Sequence, residues 1–134
     1  WFEKESKLAL NKIKPDIVAI PFMGSSNQDH RAVAHAAFTA CRARPHSLKP
    51  FQNLILLYED PVGNNLLEAF RPNFYVDIKN NLDFKKKALS LYKSQIRGPL
   101  HQCSPETVTI KAQSRGREVA IESAEAFMLY RFLI

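Results

Sequence analysis

The chain has 134 residues, 46% of them hydrophobic and 24% charged, which suits one soluble domain with a real core but not two. No run is long enough to span a bilayer and no signal-peptide pattern is read at the start, so a membrane span is not expected. The net charge of +6, from 19 Lys and Arg against 13 Asp and Glu, is scattered; Lys85–Lys87 is the only run, and successive helical residues fan out over different faces, so nucleic acid is not an expected partner.

Trp1 rather than Met stands first, inside a segment that reads as an amphipathic helix over Trp1–Lys14 through Leu8, Ala9 and Ile13. We therefore expect the C-terminal portion of a longer protein. Pro15-Asp16 stops that helix. Ile17-Val18-Ala19-Ile20 follows as a wholly apolar run, the pattern of a strand buried on both faces in a parallel sheet. After the loop Pro21–Ser26, a helix is expected from about Asn27 to Arg42. Cys41 falls on its apolar face, and with Cys103 it makes no CxxC or CxxH spacing; two distant thiols fit a reducing compartment, and the cytoplasm is expected.

Leu54–Tyr58 is a second buried-strand run, ended by Glu59-Asp60-Pro61. A loop over Val62–Asn73 leads to a third, more exposed strand, Phe74–Ile78. Helical spacing returns over Leu82–Gln95. Ser104-Pro105-Glu106 is a helix start with a hydroxyl cap and a first-position proline, and Gly116 is the expected stop after Arg115. The apolar tail Val119–Ile134 does not divide into strand and helix by pattern. Helices alternating with buried strands predict an α/β layered domain with a mostly parallel sheet, in which a ligand site lies beyond the carboxyl ends of the strands.

The tetrad Asn27-Gln28-Asp29-His30 stands at such a position. His30 begins a helical stripe with Val33, Ala37 and Cys41. In the first helical turn the positive end of the helix dipole disfavours the imidazolium, which keeps a ring nitrogen free for a metal. Asp29 is favoured there as an anion and is able to orient a histidine or another donor. A plain helix cap by Ser26 or Asn27, with Asp29 stabilising the first turn and Arg31 solvated, accounts for the same residues. His35, His46 and His101 show no metal-ligand spacing with His30, and a catalytic zinc needs three protein ligands. The residues alone leave both readings open.

The words around the tetrad resemble the C-terminal part of the PIG-L/LmbE-like family of zinc-dependent N-deacetylases. Lys14-Pro15-Asp16-Ile17-Val18, Asp29-His30-Arg31-Ala32-Val33, Leu57-Tyr58-Glu59-Asp60-Pro61, Phe70-Arg71-Pro72-Asn73, Val76-Asp77-Ile78 and Ala124-Glu125-Ala126-Phe127 carry the likeness in order and spacing over nearly the whole chain. The resemblance implies a Rossmann-like three-layer α/β fold, a single domain over residues 1–134 truncated at its N-terminal side, and a zinc cofactor. Zinc in that family is held by a histidine and an aspartate of a His-Pro-Asp-Asp motif and by the last histidine of His-x-Asp-His, which His30 matches. The second aspartate of the first motif is the family's general base. Asp29 matches the aspartate that supports the tetrad's first histidine.

His-Pro-Asp-Asp does not occur in this sequence, so the remaining zinc ligands and the base are expected from elsewhere. Asn27 stands where the family often has a histidine; its amide can donate to an oxyanion but carries no proton to give near neutral pH. The catalytic candidates are thus Asn27 and Asp29, with His30 as metal ligand. Arg44 and His46, in the loop before Leu54–Tyr58, are candidates to line a sugar pocket, with a solvent-facing loop as the alternative. The expected substrate is an N-acetylated amino sugar or its conjugate. The alternative is a non-catalytic carbohydrate-binding or structural relative of the same fold.

Overall fold

A computed structural model describes residues 7, 9–45, 50–60, 68–96 and 98–134. Half of the expected helix over Trp1–Lys14 and half of the loop over Val62–Asn73 lie outside them. Helix α1 is the four residues Leu10–Ile13, closed by Lys14 at φ 51°, whose N–H donates to the Leu10 carbonyl. Pro15 follows and cannot extend it.

The described residues fall into two units: one takes in the chain up to Asp60, residues 68–72 and Phe127–Ile134, and the other is Asn73–Ala126. In the first unit, β1 (Ile17–Pro21) and β2 (Leu54–Tyr58) run parallel, Ile17 opposite Leu54 and Pro21 opposite Tyr58. The Phe22 N–H donates to the Tyr58 carbonyl at 2.9 Å, which carries the ladder one step further. Ile55, Leu56 and Leu57 of β2 are buried, whereas Ile17 of β1 is 61% exposed and Ala19 is exposed too. The expectation that β1 is covered on both faces is therefore corrected. An apolar run reports the residue types and not the number of neighbouring strands, and among the described strands β1 is at the sheet edge.

Helix α2, Gln28–Ala40, packs on β1. Its inward stripe runs through Ala34, Ala40 and Cys41, with Ala37 packed against the core. Val33, expected inward with His30, is instead 43% exposed. Starting from His30, the i+4 and i+7 positions are Ala34 and Ala37, and Val33 at i+3 turns toward the open edge of β1 beside Ile17 and Ala19. The core gathers Leu10, Ile20, Phe22, Ala34, Cys41, Ile55 and Leu57, with Phe22 edge-on to Phe70 at 5.2 Å between centroids. Full burial of Ile20 and Ile55 stabilises by about 1.5–3 kcal/mol each. Neither Cys41 nor Cys103 forms a disulfide.

The second unit holds β3 (Phe74–Asp77), a 3-10 turn over Lys79–Asn81, α3 (Leu82–Ser90) and α4 (Pro105–Arg117). The expected helix to Gln95 stops five residues early. Its last bonds tighten to the i+3 type, from the N–H groups of Leu91 and Tyr92 to Ala88 and Leu89, and a separate turn closes from Gln95 to Tyr92. The cap of α4 is as read: Ser104 Oγ accepts from the Thr107 N–H at 3.1 Å, with Pro105 at the first position. Its end is not. Gly116 lies inside α4, and the left-handed residue of the closing Schellman motif is Ala120 at φ 59°. The Ile121 N–H donates to the Gly116 carbonyl and that of Ala120 to Arg117. Gly116 answers to packing: a Cβ there would lie 2.8 Å from the Ile121 carbonyl oxygen and from the backbone of Ser123.

The apolar tail resolves into one nine-residue strand, β4 (Ala124–Phe132), which pairs antiparallel with β2. A bulge between Ile55 and Leu56 skips Tyr130, which meets the Phe38 ring edge-on at 4.9 Å. The strand order is β1-β2-β4-β3. Among the described residues this mixed α/β sheet has β1·β2 as its one parallel pair and is otherwise antiparallel. The expected mostly parallel sheet is corrected accordingly: β4, the strand that the pattern left undivided, enters between β2 and β3 in the opposite sense. Among the described helices, none is long and apolar enough to cross a membrane. Two lysines of the basic run pair with acids, Lys85 with Glu125 at 2.8 Å and Lys86 with Asp83 at 2.6 Å.

Candidate functional site

The parallel pair ends with Pro21 beside Tyr58, so the segments that follow β1 and β2 leave the sheet at the same end. One carries Ser25 and the tetrad, the other Asp60. Ser25 is 1% and Asp60 6% exposed, and the Ser25 hydroxyl donates to Asp60 Oδ2 at 3.0 Å across 35 positions of sequence. His30 Nδ1 lies 3.3 Å from that same oxygen, its side chain 30% exposed. A buried carboxylate therefore stands behind a half-buried imidazole.

The turn between is held by its own polar groups. Ser25 Oγ accepts the Asn27 N–H at 3.1 Å. Asn27 is the N-cap of α2, its Oδ1 accepting from the N–H groups of Asp29 at 2.9 Å and His30 at 3.4 Å. Arg31 Nη1 donates to the carbonyls of Ser25 at 2.8 Å and Ser26 at 3.0 Å. Thus Arg31, solvated in the plain-cap alternative, clamps the turn. Gly24 allows the close approach, since a Cβ there would meet the Phe22 ring at 2.5 Å and the Glu68 carbonyl at 3.0 Å. Tyr58, partly buried at the end of β2, has its phenol pushed above its ordinary range, first by burial and then by the Asp60 charge.

The sequence candidates are placed unevenly. Asn27, Asp29 and His30 share the first turn of α2. The Asp29 carboxylate is exposed at the positive end of the helix, and the carboxylate that meets His30 is Asp60. Arg44 is exposed beyond the other end of α2, whose 13 residues extend about 20 Å, so it is not brought to the tetrad. His46 lies outside the described residues. Asp60 is a site residue to which the sequence reading assigns no role. The available signal was positional: an acid just past a buried strand, at the same sheet end as the tetrad.

Several solved structures match this arrangement of elements, among them the following two. The conserved protein TT1542 from Thermus thermophilus aligns with a TM-score of 0.72 at 21% identity, covering 94% of this chain and 56% of that one. N,N'-diacetylchitobiose deacetylase from Pyrococcus horikoshii, complexed with its inhibitor MPG, aligns with a TM-score of 0.65 at 24% identity, covering 90% of this chain and 48% of that one. The chain shares its fold with a deacetylase. It spans about half the length of each of these two, and at these identities the likeness carries the fold alone. No family model matches the chain.

The donor set answers in part to a metal. Among the described residues no group of three His, Cys, Asp or Glu side chains is placed to hold one. His30, with a buried carboxylate at Nδ1 and its Nε2 on the other side of the ring, fits a single ligand position with its outer-shell partner.

Proposed function

We propose that this chain belongs to a zinc-dependent N-deacylase of the PIG-L/LmbE-like type, acting on an N-acetylated amino sugar or its conjugate. The observation that carries this reading is the His30–Asp60 pair, assembled from two sequence-distant segments at the carboxyl end of the only parallel strand pair among the described residues. The shared fold with a deacetylase and the order of sequence motifs support it. His30 is the metal ligand contributed by this chain, and Asp60 holds its ring. The other ligands and the general base come, in this reading, from a His-Pro-Asp-Asp segment that the sequence does not contain.

The zinc would supply Lewis-acid polarisation of the amide carbonyl and of water. Asn27 spends its Oδ1 on the α2 cap and keeps Nδ2 as a donor for negative charge developing on the carbonyl oxygen. It gives up no proton near neutral pH, so protonation of the leaving amine falls to another group. Water adds to the amide carbon, the C–N bond breaks, and acetate and the free amine are the products. Metal analysis and a deacetylation assay on an N-acetylglucosamine conjugate, run on the full-length protein, test the reading. Metal-free protein with no acetate release would reject it.

A further inference from the structure

We infer that Asp60 is a positioning residue that fixes His30 as the Nδ1–H tautomer and leaves Nε2 as a bare lone pair. Donor and acceptor capacity decides the tautomer. An ionised carboxylate only accepts. Its Oδ2 already accepts the Ser25 hydroxyl at 3.0 Å, and His30 Nδ1 is 3.3 Å from the same atom. The imidazole nitrogen facing it must then carry the proton, and in the neutral ring the other nitrogen is the acceptor.

The surroundings hold this assignment in place. Asp60 is buried while His30 is partly open, so the carboxylate lies on the protein side of the ring. Ser25 joins the pair to the helix cap: the Asn27 N–H donates to Ser25, Ser25 donates to Asp60, and Asn27 Oδ1 accepts the N–H of His30 itself. Both the backbone and the ring of His30 are thereby tied to one turn, which Arg31 clamps from its own side chain. Such an arrangement presets a nitrogen for an electrophile before any arrives. That the electrophile is zinc rests on the proposed function; the tautomer does not.

The test uses this chain, labelled with 15N, at a pH well above the ordinary imidazole range. Long-range 1H–15N correlations of the ring give the tautomer of each histidine. The expected result for His30 is an excess of Nδ1–H over Nε2–H of about tenfold, the weight of one hydrogen bond to a charged group. Asp60→Ala should reduce that excess toward parity, and Ser25→Ala, which leaves the carboxylate, should keep it. A predominant Nε2–H form in the unsubstituted chain overturns the inference, and that spectrum decides even if Asp60→Ala does not fold. An unchanged excess in folded Asp60→Ala overturns it as well. A full-length protein without deacetylase activity, but with the Nδ1–H tautomer, would sink the proposed function and leave this inference standing.

Discussion

Asn27 carries two separable jobs, and substitution can divide them. In Asn27→Ala the Oδ1 acceptor disappears, and with it the bond from the Asp29 N–H at 2.9 Å and the weaker one from His30 at 3.4 Å. The site is exposed, so water reaches the freed N–H groups and no cavity forms. The loss is therefore the ordinary cost of an asparagine cap, about 1 kcal/mol. Asn27→Asp keeps the acceptor and adds a charge at the positive end of α2, worth about 0.3–1 kcal/mol. Repulsion from Asp29 and Asp60 offsets part of that gain, so the aspartate variant should match or slightly exceed the original stability. Urea unfolding of the chain measures both. Turnover in the full-length protein should follow a different order, with Ala and Asp both impaired, because both lack the Nδ2 donor. Equal stability of Asn27→Ala and the unsubstituted chain would refute the cap argument. Undiminished turnover in Asn27→Asp would refute the donor role.

Gly116→Ala should destabilise by about 1–3 kcal/mol despite alanine's better helix propensity, because the atoms 2.8 Å from the new Cβ are all backbone and do not yield; a lowered urea midpoint with an unchanged slope is the expected reading. Ala120→Gly should stabilise by about 0.5–1 kcal/mol, since φ 59° costs an L-residue about 1–2 kcal/mol and the added chain entropy of glycine returns part of that; no rise in the midpoint would contradict the Schellman assignment. The raised Tyr58 phenol binds its proton more tightly folded than unfolded. Its contribution is complete below pH about 10 and is lost as pH rises through the folded value. Ultraviolet titration of Asp60→Asn should move Tyr58 back toward the ordinary value without reaching it, because burial is the larger cause.

What could be read from the sequence depended on how local each feature is. The Ser104-Pro105 start of α4, the tetrad's place at the head of α2 and the buried run of β2 were legible, because each is fixed by residues within one turn or one strand. The open edge at β1 was not, since Ile17–Ile20 and Leu54–Leu57 have the same apolar texture and differ only in neighbours. β4 stayed undivided because its partner is β2, some seventy positions away. Gly116 carried the signature of a helix stop, yet the αL position fell to Ala120 and the glycine serves the approach of Ser123. Asp60 illustrates the same limit at the site. Its meaning arises when the β1·β2 register brings the ends of two strands together, and only then does His30 acquire a carboxylate.

The measurement that bears most directly on the central claim is the zinc content of the full-length protein and its His30→Ala variant, determined beside acetate release. Bound zinc and deacetylase activity are expected in the former and the loss of both in the latter, with the fold retained. Unchanged zinc and full activity in His30→Ala would contradict the claim.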